Sequence, residues 1–418
     1  MISFHEHAMN RVRLCLLCFF ALVIFIATVS SALAQQLAVR GETVYTMAGP
    51  AIRDGVVLIR DGKIERVGPA SGVQIPANYR TINARVVTPG LIDAHSVIGL
   101  AGYLNQPHDQ MQLERSAAIQ PELRAVDAYN GRERLIEWVR GFGVTTLHTG
   151  HGPGSLISGQ TMIVKTITGE VEQALVIPAA MIAASVGDAG LATGGRAPGT
   201  YAKEIAMLRT ELIKAQEYDR KQQSAKEDQK GARDLRTEAL VRVLKGELPL
   251  LVTVQRAHNI ISVLRLAKEF NLRVILDGAA EAYMIAEQIK AAGVPVIIHP
   301  TMTRAAGETE NLSMETAATL RKAGIAIALQ SGFEGYVPKT RVVLFEAAVA
   351  ASNGLSFDEA LATITIDAAR MLGINNRVGS LETGKDADLA LYDGDPFEYT
   401  THCTGTIING RVVSEEAH

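Results

Sequence analysis

The chain is poor in several features that usually point to a function. Only 5% of its 418 residues are aromatic, with a single Trp, against an apolar content of 47%. That is the composition of an ordinary globular chain. Cysteine is nearly absent: two of the three, Cys15 and Cys18, lie in an apolar run near the N-terminus, which leaves Cys403 alone in the remainder. One cysteine makes no internal disulfide, so the core must hold the fold. Charge of one sign is also lacking. The 41 Lys and Arg nearly balance the 44 Asp and Glu, for a net charge of −3. Nothing in that balance recommends nucleic acid or an anionic membrane surface as a partner.

A membrane-length apolar segment is missing too. Leu14–Val29 runs for 16 residues, short of the roughly 20 that a span requires. Arg11 and Arg13 precede it, and Ser31-Ala32-Leu33-Ala34 follows with small residues at the −3 and −1 positions of a cleavage site. This order predicts a secretory signal over residues 1–34, an exported chain, a bacterial periplasmic address, and no stable span after removal. No Cys follows the small residues, which argues against a lipoprotein.

What is present is organised around Val86-Val87-Thr88-Pro89-Gly90-Leu91-Ile92-Asp93-Ala94-His95-Ser96-Val97. Its apolar, largely β-forming residues predict a buried strand. Pro89-Gly90 predicts a bend into a second sheet. Strand alternation puts Asp93, His95 and Val97 on one face. The segment resembles the Pro-Gly-hydrophobic-Ile-Asp-x-His-x-His motif that opens the barrel of the amidohydrolase superfamily, with Val97 in place of the second His. The segment Gly379–Leu389, the following Asp393-Gly394-Asp395-Pro396, and the ending Ile408-Asn409-Gly410-Arg411-Val412-Val413 resemble the superfamily's C-terminal pattern. The resemblance extends to imidazolonepropionase-like members.

The rest of the chain supports that reading. Asp61-Gly62 and Asn409-Gly410 between apolar runs predict hairpins, so residues 35–85 and 378–418 are expected to form one composite β domain. Between them, residues 86–377 alternate strand and helix, with strands expected at 86–94, 143–148, 161–167, 180–186, 250–255, 272–277, 294–299 and 325–330. Eight such units predict an α/β fold, a (β/α)₈ TIM barrel with its site at the C-terminal strand ends. Tyr201 to Lys245 reads as a charged helical insertion. Acidic and basic residues mix along it, which makes it a solvated helix pair and no nucleic-acid stripe.

The resemblance implies one or two divalent metals, zinc foremost, and hydrolysis of C–N bonds in amides, cyclic amides or peptide-like compounds. Its ligands are paired His on strand one, a Lys or Glu on strand four, a His each on strands five and six, and an Asp after the last strand. By local similarity the corresponding positions hold His95, Val97, Ala183, Thr253, Gln255, Gly278 and Gly332. Only His95 is retained, and a catalytic zinc takes three protein ligands plus water. A relocated metal site is one expectation, built from His95, His148, Asp277 and His299 at strand ends. The other is a catalytically silent exported relative that binds a small molecule or partner protein in the old pocket. In that case the polar strand ends are simply hydrogen-bonded. Lys165, inside a strand, is expected to be paired or snorkelling, with a carboxylated-lysine role as the alternative. Oligomeric state is not legible in the sequence.

Overall fold

The computed structural model describes residues 36–418 other than 105, 193, 225–230, 302 and 334–341. The expected signal segment lies outside the described residues.

The chain enters as β1 (Leu37–Val44), β2 (Ile52–Arg60), β3 (Lys63–Pro69) and β4 (Arg80–Pro89). The Asp61-Gly62 turn joins β2 to β3 antiparallel, with both turn residues at positive φ, 53° and 76°. That is the requirement of a tight type I′ turn, and Gly meets it without a Cβ penalty. At Pro89-Gly90 the predicted long strand divides. β4 belongs to the first sheet, and β5 (Leu91–Ser96) opens another. Gly90 packs against Thr145, where a Cβ would overlap the threonine side chain.

The middle continues with β6 (Val144–Thr149), β7 (Ile157–Gln160), β8 (Met162–Lys165), β9 (Leu175–Ile177), β10 (Ile182–Ser185), β11 (Leu250–Val254), β12 (Val274–Gly278), β13 (Val296–Ile298) and β14 (Ile327–Leu329). All eight expected strands are present near their expected bounds. They fall into two sheets, β14-β13-β12-β11-β10-β7 and β5-β6-β8-β9. Neighbours from β10 to β14 are parallel. β8 corrects the expected all-parallel order, because it runs antiparallel to β6. No helix crosses between them; the short stretch after Thr149 carries only β7, and a short connection returns the chain antiparallel. The two sheets meet at a bridge between Ser96 and Gly332. They meet again where the Thr161 amide donates to Met181 O and the Ala180 amide to Thr161 O.

β15 (Leu389–Tyr392), β16 (Cys403–Ile408) and β17 (Arg411–Ser414) return to the first sheet, whose order is β17-β16-β15-β4-β1-β2-β3. Both chain ends thus share one sheet, through the pairing of β15 with β4. Asn409 and Gly410 repeat the positive-φ turn, at 50° and 72°. Cys403 is buried and free. The inserted segment forms helices Tyr201–Ser224 and Leu235–Leu244. The first turns Leu208, Leu212 and Ala215 inward, and an Arg209–Glu269 pair ties it to helix Ala257–Phe270. No described helix is long and apolar enough to cross a membrane.

Candidate functional site

The C-terminal ends of β5, β11, β12, β13 and β14 converge on one cavity of about 190 Å³. Its walls include His95, Val97, Thr253, Gln255, Asp277, His299, Gln330, Gly332 and Phe333. Parallel strands in register bring these residues together. Thr253 of β11 lies directly beside Asp277 of β12, and Val254 beside Gly278.

Asp277 is the centre of this arrangement. It is buried, and its carboxylate accepts from three side chains: His95 Nδ1 at 3.0 Å, Gln330 Nε2 at 2.8 Å and Thr253 Oγ1 at 2.5 Å. Burial alone would raise its pKa. The His95 charge and these hydrogen bonds prevail and hold it below the ordinary carboxylate value. For His95 burial disfavours the charge, but Asp277 above all, then Asp93, push its pKa above the ordinary imidazole value. The two shifts reinforce one another, so the pair favours imidazolium and carboxylate.

The other expected site residues separate into two groups. His299 lines the same cavity, with Nδ1 3.0 Å from Pro300 O and Nε2 buried without a hydrogen-bond partner. His148 is not at the mouth. Its Nδ1 lies 2.6 Å from Ala94 O and its Nε2 2.7 Å from Thr161 Oγ1, so both ring nitrogens are engaged inside the sheets. Burial, followed by the His95 charge, pushes its pKa down to about 3. Of the four residues expected at a relocated site, the cavity brings together His95, Asp277 and His299, and His148 lies outside its lining with both nitrogens hydrogen-bonded. Among the described residues no three His, Cys, Asp or Glu are grouped so as to hold a metal ion.

The positions vacated by the family pattern carry other contacts. Thr253 gives its hydroxyl to Asp277. Gln255 accepts the Ala280 amide at 3.2 Å and packs on Gly278, where a Cβ would overlap its amide. Gly332 has φ of 69° and lies against Pro300. Gln330 was missed from the sequence; its position two residues before Gly332 was the available signal. Asp93, behind the mouth, accepts the amides of His95 and Ser331, yet burial raises its pKa to about 7. Lys165 is far from this site and is paired with Asp386 and Asp388. A wider groove of about 900 Å³ on the outer surface, lined by Arg134, Trp138 and Glu415, contains none of the site residues.

Comparison with known proteins gives the class. Residues 286–414 match the model of the amidohydrolase family. The imidazolonepropionase of Rhizobium rhizogenes is 26% identical over 378 residues, which cover 82% of this chain and 87% of that protein. The chain is thus similar to the amidohydrolase family over residues 286–414 and to imidazolonepropionases over most of its length. Among solved structures, an amidohydrolase from Thermotoga maritima superposes with a TM-score of 0.86 at 27% identity, covering 91% of this chain and all of that one. An adenosine deaminase from Xanthomonas campestris, solved with bound zinc, shares the fold at a TM-score of 0.51 and 17% identity, over 90% of this chain and 92% of that one.

Proposed function

We propose that this chain uses the amidohydrolase mouth to bind a small polar molecule and does not carry out metal-dependent hydrolysis there. The observation that supports this is the engagement of Asp277 by three donors. Its carboxylate, the one acidic group lining the cavity among the described residues, already accepts from His95, Thr253 and Gln330. The donor set does not fit a catalytic zinc, which needs three protein ligands. Val97, Ala183, Gly278 and Gly332 carry no ligating side-chain atom, Thr253 is committed to Asp277, and both ring nitrogens of His148 are hydrogen-bonded. On this reading residues 86–377 form the (β/α)₈ barrel, with the seven-stranded sheet as a separate small β domain.

A second reading is C–N bond hydrolysis of amide, cyclic-amide or peptide-like substrates with one divalent metal. The unpaired Nε2 atoms of His95 and His299, both buried, favour it. Elemental analysis of the purified protein separates the two. The first reading expects zinc, manganese and iron well below one per chain, and no loss of stability on chelation. A metal bound to the native state would stabilise it by about 4 kcal/mol at a thousandfold excess over its dissociation constant. One metal per chain, released by His95→Ala together with that loss, would establish the hydrolase reading instead.

The address is also part of the proposal. Residues 1–34 carry the Arg-flanked apolar run and the Ala32-Leu33-Ala34 ending of an export signal. Mass spectrometry of the native protein is expected to find Gln35 first. An intact N-terminus in the membrane fraction would refute export by cleavage.

A further inference from the structure

The turn after β10 is gripped from two sides by carboxyl groups that the mouth does not use. Glu204, in the first turn of helix Tyr201–Ser224, is fully buried. Its Oε2 accepts the Gly187 amide at 3.0 Å, and its Oε1 has no hydrogen-bond partner. Glu308 approaches the same turn from the segment after β13. A Cβ on Gly187 would overlap Glu308 Oε1, and a Cβ on Gly190 would overlap Glu204 Oε1 and the Ser185 carbonyl. Glycine at both positions is therefore what lets the two carboxyls close on the turn. Thr309, next to Glu308, lines the mouth cavity.

We propose that Glu204 and Glu308 form a proton-dependent latch that ties the inserted helices to the loop at the mouth through the turn Gly187–Gly190. Like charges brought together in a buried place favour the protonated form. The charged neighbours add little relief. Asp188, on the turn itself, is a further negative charge and accepts the Tyr201 hydroxyl at 2.6 Å. Arg256, from the segment before helix Ala257–Phe270, is the nearby cation and is drawn to Gly307 O and Glu310, both at 3.1 Å. Glu281 is occupied with the Ala257 amide and Asn311, and His258 stacks on Tyr201 at 5.7 Å. Burial first, and then Glu308 and Asp188, raise the Glu204 pKa to about 8, against the Gly187 hydrogen bond. Burial, first among its causes, raises Glu308 as well.

The sign follows. An opened turn releases the Glu204 proton above the ordinary value of 4.5, whereas the closed turn keeps it until about pH 8. The latch therefore weakens as pH rises between those values and changes no further above them. Amide hydrogen exchange of the full chain, read as protection factors for residues 185–192 at pH 5, 6, 7 and 8, tests this. Protection is expected to fall by up to about tenfold per pH unit. In Glu204→Gln the fall should shrink to the part set by Glu308, and in the double variant Glu204→Gln/Glu308→Gln it should vanish. In Glu308→Gln it should end at lower pH, because a charge that raises the Glu204 pKa is gone. A flat wild-type profile overturns the latch, as does a fall that is undiminished in Glu204→Gln. If Glu204→Gln does not fold, Glu308→Gln decides: an unchanged end point there refutes the pairing.

Discussion

Lys165→Ala is expected to lower the unfolding free energy by about 3–5 kcal/mol, the usual result of removing one partner from a buried ion pair. Lys165 sits on β8 with its side chain only 3% exposed, paired with Asp388 and, at 3.3 Å, with Asp386. The two carboxylates do not suffer equally when it goes. Asp386 retains Lys63 at 2.6 Å and Arg377 at 2.9 Å. Asp388 is left with the Asn409 amide at 2.9 Å and no other ion pair among the described residues. Most of the loss should therefore come from an uncompensated charge on Asp388. That makes a second prediction within the first: Asp388→Asn in the Lys165→Ala background should restore part of the stability, so the double change costs less than the sum of the single ones. Urea unfolding of the four proteins measures this. A loss below about 1 kcal/mol for Lys165→Ala would place the pair in the class of exposed salt bridges and contradict the buried arrangement.

That pair also shows where sequence reading stops. Lys165 inside an apolar strand announces that it needs a counter-charge, because an unpaired buried ammonium is costly. Nothing local says that the partner lies 223 residues away. Features set by neighbours in the chain were legible. The strands of the middle segment were found from β-branched runs, the hairpins from Asp61-Gly62 and Asn409-Gly410, and the change of sheet from Pro89-Gly90. β7 and β9 were not: Ile157-Ser158-Gly159-Gln160 carries a single apolar residue, and both owe their pairing to tertiary contacts. At the mouth, residue types were legible but directions were not. A His at the end of a strand looks the same in sequence whether it faces the cavity, as His299 does, or spends both nitrogens inside, as His148 does. The same limit applies to Thr253 and Gln330. Beside the superfamily pattern Thr253 reads as a lost ligand, and only the register of β11 against β12 reveals it as a donor to Asp277.

The second large effect is expected at that carboxylate. Asp277→Asn should cost about 3–5 kcal/mol near pH 5.5, since it breaks a buried charged pair and sets an amide N–H₂ against the donors His95, Thr253 and Gln330. The pH dependence identifies the cause. His95 has its pKa raised above the ordinary 6.5, so its contribution is complete below pH 6.5 and is lost as pH rises through the folded value. Asp277 has its pKa lowered below the ordinary 3.8, so its contribution is present above pH 3.8 and is lost as pH falls through the folded value. The pair therefore stabilises most fully between those two ordinary values. The difference between wild type and Asp277→Asn should be largest there and shrink as pH rises through the folded value of His95, above which the imidazole is neutral and only the hydrogen bonds remain. Unfolding in urea at pH 5.5 and pH 9, each with and without a chelator, is the measurement. A difference that is equal at both pH values would mean that His95 and Asp277 do not form an ion pair. A difference that disappears on chelation at pH 5.5 would mean that Asp277 acts through a metal, and would overturn the metal-free reading of the mouth.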